Sequence, residues 1–219
     1  TNHLVLNGVE LSLRNIFLDQ TRLNDEDYKV LGETLTVYNV PNSFFLETLV
    51  SINPKSNSTL SGLYVSKNGY FTQCEAEGFR RITFYLDRPD IMARFTTKIK
   101  ANKHNYPILL SNGNLVASGR DGEDHWAQWE DPFPKPSYLF AMVAANLAKL
   151  SSTFQTLSGR GITLNIFAQH GKTQQCVFAM EALKKSMEWD EKVFGLEIDL
   201  DQYTIVAVDD FNMGAMENK

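Results

Sequence analysis

The sequence is poor in the residues that build metal and nucleophile sites. Among 219 residues it has two cysteines, Cys74 and Cys176, and four histidines. The cysteines lie far apart without Cys-x-x-Cys spacing, which excludes a zinc knuckle and a redox motif. No two histidines stand four residues apart, the spacing at which a helix directs both at one metal ion, and no Gly-x-Ser-x-Gly nucleophile motif occurs. We expect buried free thiols and no complete zinc site.

Charge and hydropathy exclude two classes of partner. The formal net charge is −5 and no basic stripe is present, so we expect no nucleic-acid partner, since binding to phosphates needs clustered Lys and Arg. No stretch approaches the roughly 20 consecutive apolar residues that span a bilayer, and the N-terminus shows no signal-peptide pattern. Few cysteines and no visible signal favour a reducing compartment. We expect a cytoplasmic protein with no membrane contact that acts as a monomer.

Residues 1 to about 136 have the pattern of an antiparallel β-sandwich, with short apolar and β-branched runs between turn residues. Asn7-Gly8 is a favoured type I′ turn pair and predicts a hairpin between residues 4–6 and 9–13. Further strands are predicted at residues 35–38, 44–50, 63–65, 82–86 and 95–100. Residues 131–136 contain three prolines, which cannot donate to a ladder and fix φ, so this segment cannot be a helix or an interior strand. It is predicted to be an extended rim segment rather than a flexible linker.

The pattern changes after residues 145–150. Residues 138–147 suit a helix or a buried strand, and periodicity does not decide between them; residues 162–168 and 203–208 are predicted strands. Residues 173–194 predict a helix with Thr173 as N-cap and Gly195 just past its end. Its core-facing stripe is predicted to be Val177, Met180, Leu183, Met187 and Phe194. The change in composition predicts a β-rich domain followed by the start of an α/β domain.

Two stretches carry carboxylates next to apolar runs. One is residues 73–78, which include Gln73, Glu75 and Glu77 and follow Tyr70-Phe71, and the other is residues 212–218, which follow a buried strand. Glutamate in a loop is usually just exposed, so each stretch alone is best interpreted as a solvated loop.

The two stretches together change that interpretation. Gly214-Ala215-Met216-Glu217-Asn218 is the exopeptidase signature of the aminopeptidase N family, and residues 206–219 closely resemble its bacterial alanyl aminopeptidase branch. Residues 71–80, 85–90, 93–98, 110–114 and 131–136 also match that branch, in the family's order. The chain is therefore identified as resembling a zinc-dependent metallo-aminopeptidase over most of residues 60–219.

This resemblance implies a mainly β fold with an α/β start: an N-terminal antiparallel β-sandwich at residues 1–146, then the first part of a thermolysin-like catalytic domain at residues 147–219. It favours a strand for residues 138–147. In the family zinc is held by His-Glu-x-x-His and a later Glu, which follow the signature. We therefore expect the zinc ligands and the opening strands of the sandwich to lie outside this chain, and the chain alone to have no peptidase activity and no tightly bound zinc.

The resemblance also assigns the groups that hold a peptide with a free N-terminus. Glu217 and Glu75 pair with its α-ammonium group, and Gln73 accepts a further hydrogen bond. Carboxylates suit this task because charge-assisted hydrogen bonds to an ammonium group are strong and directional. An N-blocked peptide would leave these groups unpaired, which is how an endopeptidase core becomes an exopeptidase.

The rest of the signature is expected to hold the peptide main chain. Gly214 and Ala215 leave space for it, and the extended segment through Met216 and Asn218 pairs with it as an added strand. Met213 resembles a position that lines the first side-chain pocket, and an adaptable thioether there predicts broad specificity. Two alternatives remain: a non-catalytic β-sandwich scaffold, against which intact Glu217 and Glu75 weigh, and an epoxide-hydrolysing relative, against which Ala215 and Asn218 weigh.

Overall fold

The computed structural model describes residues 2–67, 69–209, 211 and 213–219. The strands are β1 (Leu4–Asn7), β2 (Ser12–Leu18), β3 (Thr21–Arg22), β4 (Tyr28–Leu31), β5 (Thr34–Val37), β6 (Leu46–Ser51), β7 (Gly62–Ser66), β8 (Gly69–Gln73), β9 (Ala93–Asn102), β10 (Ile108–Ser111), β11 (Asn114–Asp121), β12 (Asp124–Lys135), β13 (Met142–Ala145), β14 (Ala148–Gln155), β15 (Gly161–Ala168) and β16 (Gln202–Val206). The α-helix α1 spans Val177–Phe194. The predicted mainly β fold is confirmed.

The first two sheets are antiparallel and share one core. Their strand orders are β1-β5-β4 and β3-β2-β6. Leu6, Leu35 and Val37 from the first sheet and Ile16 from the second are buried together with Phe84. Because side chains alternate along a strand, each sheet directs one apolar face into this core and the other toward solvent.

The hairpin predicted at Asn7-Gly8 is wrong. β1 pairs with β5, whereas β2 pairs with β3 and β6. Asn7 ends β1 opposite Thr34 and also forms a bridge with Tyr85. Gly8 is needed for close packing instead, since a Cβ there would lie 2.3 Å from the ring of Phe84. A local turn signal was overridden by pairing between distant strands.

The next two sheets form a second antiparallel pair. Their orders are β10-β13-β8-β7 and β11-β12-β9. Leu109 and Ala144 from one sheet pack on Ile99, Ala127 and Trp129 from the other. The indole N–H of Trp129 donates to the backbone carbonyl of Leu109 at 3.2 Å, so this buried polar group is satisfied across the interface.

The proline segment is extended, as predicted, but it belongs to a strand. β12 runs through Lys135, and β11 pairs with it only as far as Glu130. Beyond that point β9 is the one described strand that pairs with it, and the register shifts between Asp131 and Lys135. Pro132 and Pro134 are tolerated because they fall where the ladder is already interrupted.

The strand predicted at residues 82–86 is also wrong. Phe79–Arg81 form a 3-10 turn, and the N–H of Thr83 still donates back to the carbonyl of Phe79 at 3.3 Å. Of residues 82–86 only Tyr85 forms a bridge, with Asn7. The helical turn uses the donors that a strand would need for its ladder.

The third unit has an α/β arrangement. β14 is antiparallel to β15, β15 is parallel to β16, and α1 forms the crossover between the parallel strands. Gly195 ends the helix at φ +65°, as predicted. The predicted N-cap is wrong, because Thr173 begins a 3-10 turn that continues directly into α1 without a side-chain cap.

The core-facing stripe of α1 is shorter than predicted. Met180 and Met187 are buried, and Leu183 packs against the same cluster, whereas Val177 and Phe194 are exposed. The buried Glu191 accepts a hydrogen bond from the N–H of Leu157 at 3.2 Å. The buried face of α1 is therefore apolar at Met180 and Met187 and polar at Glu191. The ring of Phe194 instead contacts that of Trp189 edge-on at 5.2 Å.

The predicted boundary between residues 146 and 147 falls between β13 and β14. A buried cluster spans it, because Tyr64, Phe71 and Val143 pack with Leu147 and Phe167. Residues 138–147 contain strand β13 after a 3-10 turn at Ser137–Leu139, in keeping with the predicted strand. The boundary itself stays a prediction.

Candidate substrate-amine site

Gln73 is a buried amide at the end of β8. Its residue surface is 1% exposed, and among the described residues neither its Oε1 nor its Nε2 has a hydrogen-bond partner. A buried polar group without a partner is destabilising by about 1–3 kcal/mol. Native structures tolerate few such groups, and those that occur call for an explanation such as ligand binding. The Gln73 amide thus has donor and acceptor capacity that no described residue uses.

A tight turn after Gln73 presents Glu75 to solvent. The N–H of Gly78 donates to the carbonyl of Cys74 at 2.7 Å, and a Cβ on Gly78 would lie 2.4 Å from the carbonyl oxygen of Gln73. The peptide bond between Glu75 and Ala76 is cis. Glu77 pairs with Arg80 at 3.3 Å, whereas no cation in the described part of the chain pairs with the Glu75 carboxylate.

A buried polar network anchors this turn. Arg80 donates to Oδ2 of Asp87 through its backbone N–H at 3.1 Å and through Nε at 3.0 Å, and Ser137 Oγ donates to Oδ1 of Asp87 at 2.5 Å. Burial, and then the nearby Asp87 carboxylate, raise the pKa of the Cys74 thiol well above its usual range. Cys74 therefore stays protonated and apolar near pH 7 and serves as part of the core.

The signature segment is fixed to the protein at Asn218. The side chain of Asn112 donates to the carbonyl of Asn218 at 2.6 Å, and the Asn218 side chain donates to the carbonyl of Leu139 at 3.3 Å. Glu217 is exposed, and no cation among the described residues pairs with its carboxylate. A Cβ on Gly214 would meet no atom within 4 Å, so the space beside this residue is open.

The two halves of the site meet at one short segment, residues 139–142. From one side the hydroxyl of Thr72 accepts from the N–H of Met142 at 2.8 Å, and Cys74 packs with Phe140. From the other side Asn218 donates to Leu139. The strand and turn that carry Gln73 and Glu75, and the segment that carries Glu217, thus both contact residues 139–142.

Four residues of the signature region make no hydrogen bond or ion pair with Gln73 or Glu75 in the described part of the chain. They are Met213, Gly214 and Ala215, which are exposed, and Met216, which is half-buried. Their expected roles in holding the peptide stay predictions. Asp210 and Asn212, which also belong to the matching segment 206–219, lie outside the described residues.

Sequence reasoning gave no role to Asn112, Asp87 or Ser137. Asn112 and Asp87 do lie in segments that match the family, residues 110–114 and 85–90. Their partners are far away in sequence, 106 residues for Asn112 with Asn218 and 50 for Asp87 with Ser137. The matching segments were the available signal, and only the fold shows what these side chains contact.

The described residues do not fit a zinc ion. No group of three or more His, Cys, Asp or Glu side chains among them is arranged to hold a metal, so we assign no catalytic step through zinc to this chain.

No helix in the described part of the chain is long and apolar enough to cross a membrane.

The fold and the matches to known protein families define a class of protein, the M1 peptidases. Residues 1–139 match the Peptidase M1 N-terminal domain, and residues 178–219 match the Peptidase family M1 domain. The chain belongs to the M1 peptidase family.

Within that family the similarity is to aminopeptidases. The chain is 53% identical to Aminopeptidase N of Escherichia coli strain K12 over 99% of its length and 25% of that protein. It is 52% identical to Aminopeptidase N of Caulobacter vibrioides, with the same coverage. It also superimposes on Legionella pneumophila aminopeptidase A, solved in complex with aspartic acid, with a TM-score of 0.95 and 37% identity over 100% of this chain and 26% of that one. The chain thus spans about a quarter of the length of these relatives.

Proposed function

We propose that this chain is the amine-recognition part of a zinc metallo-aminopeptidase that removes N-terminal residues from peptides. The observation that carries the proposal is a set of three side chains that no described residue binds. Gln73 is buried and Glu75 exposed at one turn, and Glu217 is exposed on a segment that, like the turn, contacts residues 139–142. An α-ammonium group has three N–H donors, and these side chains offer acceptors that no described residue uses. The names of the relatives support the reaction class.

The zinc chemistry is proposed for the whole enzyme and not for this chain. The metal would polarise the scissile carbonyl and activate a water molecule, with ligands supplied from outside residues 1–219. Gln73, Glu75 and Glu217 would bind and orient the amine. We accordingly propose that the 219-residue chain alone has no peptidase activity.

The first side-chain pocket is proposed to be broadly tolerant. Met213 is 43% exposed, and its flexible thioether adapts to several side-chain shapes. Alanyl, leucyl and arginyl substrates should therefore all be cleaved by the full-length protein, and cleavage of a single type would contradict this part of the proposal.

The test of amine recognition compares three variants of the full-length protein: Glu217→Gln, Glu75→Gln and the control Glu77→Gln. The control removes a carboxylate from the same turn, one that already pairs with Arg80. A hydrogen bond to a charged group contributes about 1.5–3 kcal/mol, so the first two changes should each lower kcat/KM for an aminoacyl substrate about 10- to 100-fold. Glu77→Gln should change kcat/KM less than about twofold.

An N-acetylated substrate provides the second arm of the test. It should be cleaved poorly by the unmodified protein, and the two carboxylate variants should lose no further activity toward it, since its nitrogen carries no charge. Equal cleavage of free and acetylated substrates would contradict amine recognition. A full-length protein without any peptidase activity would support the scaffold alternative.

A further inference from the structure

The side chain of Asn112 forms hydrogen bonds with three backbone groups. It lies in the turn after β10 and is 8% exposed. Its Nδ2 donates to the carbonyls of Asn218 at 2.6 Å and Leu139 at 3.0 Å, and its Oδ1 accepts from the N–H of Ala141 at 2.7 Å. A reversed amide would place Oδ1 against two carbonyl oxygens, so the contacts fix the orientation of this side chain.

The turn that presents Asn112 is itself constrained. Gly113 has φ +84°, and a Cβ at this position would lie 2.0 Å from the carbonyl oxygen of Glu130. Only glycine combines this backbone conformation with so close an approach. The backbone beside Asn112 is therefore constrained by the turn at Gly113, and the Asn112 side chain is constrained by its three hydrogen bonds.

Other contacts of the signature segment are weaker constraints. The Asn218 side chain reaches Leu139 at the longer distance of 3.3 Å. Lys219 pairs with Asp199 at 2.5 Å, but the two side chains are 54% and 39% exposed, and exposed ion pairs contribute little. Among the described contacts of this segment, the bond from Asn112 is the one whose side-chain donor belongs to a buried residue.

We propose that Asn112 is a positioning residue for the α-amine of the substrate. It fixes the backbone of Asn218, and through it the neighbouring Glu217, relative to the segment 139–142 on which the turn with Gln73 and Glu75 also rests. Asn112 does not touch the substrate. This inference rests on the proposed function, in which Glu217 binds the ammonium group.

The experiment measures KM and kcat of the full-length protein for an alanyl p-nitroanilide. Asn112→Ala removes the buried donors, so Glu217 is held less tightly and KM should rise about five- to tenfold. Ser111→Ala is the matched control, because Ser111 Oγ donates to the carbonyl of Ala141 at 2.7 Å without contacting the signature segment; its KM should change less than about twofold. A merely structural role for Asn112 would lower kcat through loss of folded protein and leave KM unchanged.

The double variant with Glu217→Gln separates the two proposals. If Asn112 acts through Glu217, Asn112→Ala should add less than about a twofold change in KM once Glu217 is already replaced. A full additional five- to tenfold effect would overturn the inference, as would an unchanged KM in Asn112→Ala alone. If Glu217→Gln itself leaves KM unchanged, the proposed function fails and the inference falls with it.

A second substitution covers the case in which Asn112→Ala does not fold. Asn112→Asp keeps an acceptor for the N–H of Ala141 but turns a carboxylate oxygen toward the carbonyls of Asn218 and Leu139. It should raise KM at least as much as the alanine change. An aspartate variant with unchanged KM would overturn the inference.

Discussion

Replacing Gln73 by methionine should make the protein more stable and less able to bind an amine. Gln73 is 1% exposed, and neither polar atom of its amide has a partner among the described residues. Methionine has nearly the same length and volume and no strongly polar atom, so it fills the same space without an unsatisfied amide.

The magnitude follows from the desolvation of the amide. A buried unsatisfied polar group destabilises the folded state by about 1–3 kcal/mol, and the methionine variant recovers this term. In a chain of 219 residues, each kcal/mol changes Tm by roughly 2–4 °C. We therefore expect Tm to rise by at least about 2 °C, and the free energy of unfolding to rise by about 1–3 kcal/mol.

The assay has two parts with one control. Urea unfolding of the 219-residue chain compares Gln73→Met with Gln155→Met, which makes the same chemical change at an exposed position on β14 and should alter stability by less than about 0.5 kcal/mol. In the full-length protein Gln73→Met should raise KM for an aminoacyl substrate about 10-fold or more, because a hydrogen bond to a charged group is lost.

Two results would refute this reasoning. If Gln73→Met destabilises the chain by 1 kcal/mol or more, the amide is satisfied in the folded protein and is not reserved for a ligand. If the chain is stabilised but KM is unchanged, the amide is unsatisfied for a reason unconnected with the substrate.

The remaining predictions concern one thiol and one helix. Burial raises the pKa of Cys74 above its unfolded value of about 8.5. At higher pH the folded state therefore keeps a proton that the unfolded state releases. The stability that this thiol contributes is full below about pH 8.5 and falls as the pH rises. Urea unfolding at pH 7 and pH 10 should show this loss and Cys74→Ala should remove part of it; an equal loss in the variant would contradict the assignment. On α1, Met187→Ala should lower the free energy of unfolding by about 2–5 kcal/mol because Met187 is buried. Trp189→Ala, at a position 54% exposed, should change it by less than 1 kcal/mol, and equal effects would mean that the outer face of the helix is covered.

Short sequence patterns correctly predicted the elements whose conformation depends on residues close together in the chain. The alternation in residues 162–168 corresponds to β15, and Gly195 does end α1 in the left-handed region. The errors occurred where distant contacts decided the outcome. Gly8 resembles a turn residue, but the ring of Phe84 requires glycine there, and no local window of sequence contains both residues.

The site shows the same division. Family resemblance marked Gln73, Glu75 and Glu217 as candidates, because the signature and its neighbouring segments are contiguous in sequence. It gave no role to Asn112, whose partner Asn218 is 106 residues away. A side chain that acts by bonding to a distant backbone carbonyl leaves no spacing pattern, since a carbonyl is present at every residue.

Apolar and polar contacts contribute differently to this site. The cluster of Cys74, Phe79 and Phe140 stabilises the turn through burial, which is proportional to area and non-directional, so small shifts within it have little effect on its energy. The hydrogen bonds of Asn112 depend steeply on distance and angle and therefore fix the position of the Asn218 carbonyl. In the proposed function an ammonium group meets acceptors on both Glu75 and Glu217, so its affinity would depend on this second kind of contact. A stable fold is consequently necessary for amine recognition in the proposed enzyme but does not ensure it.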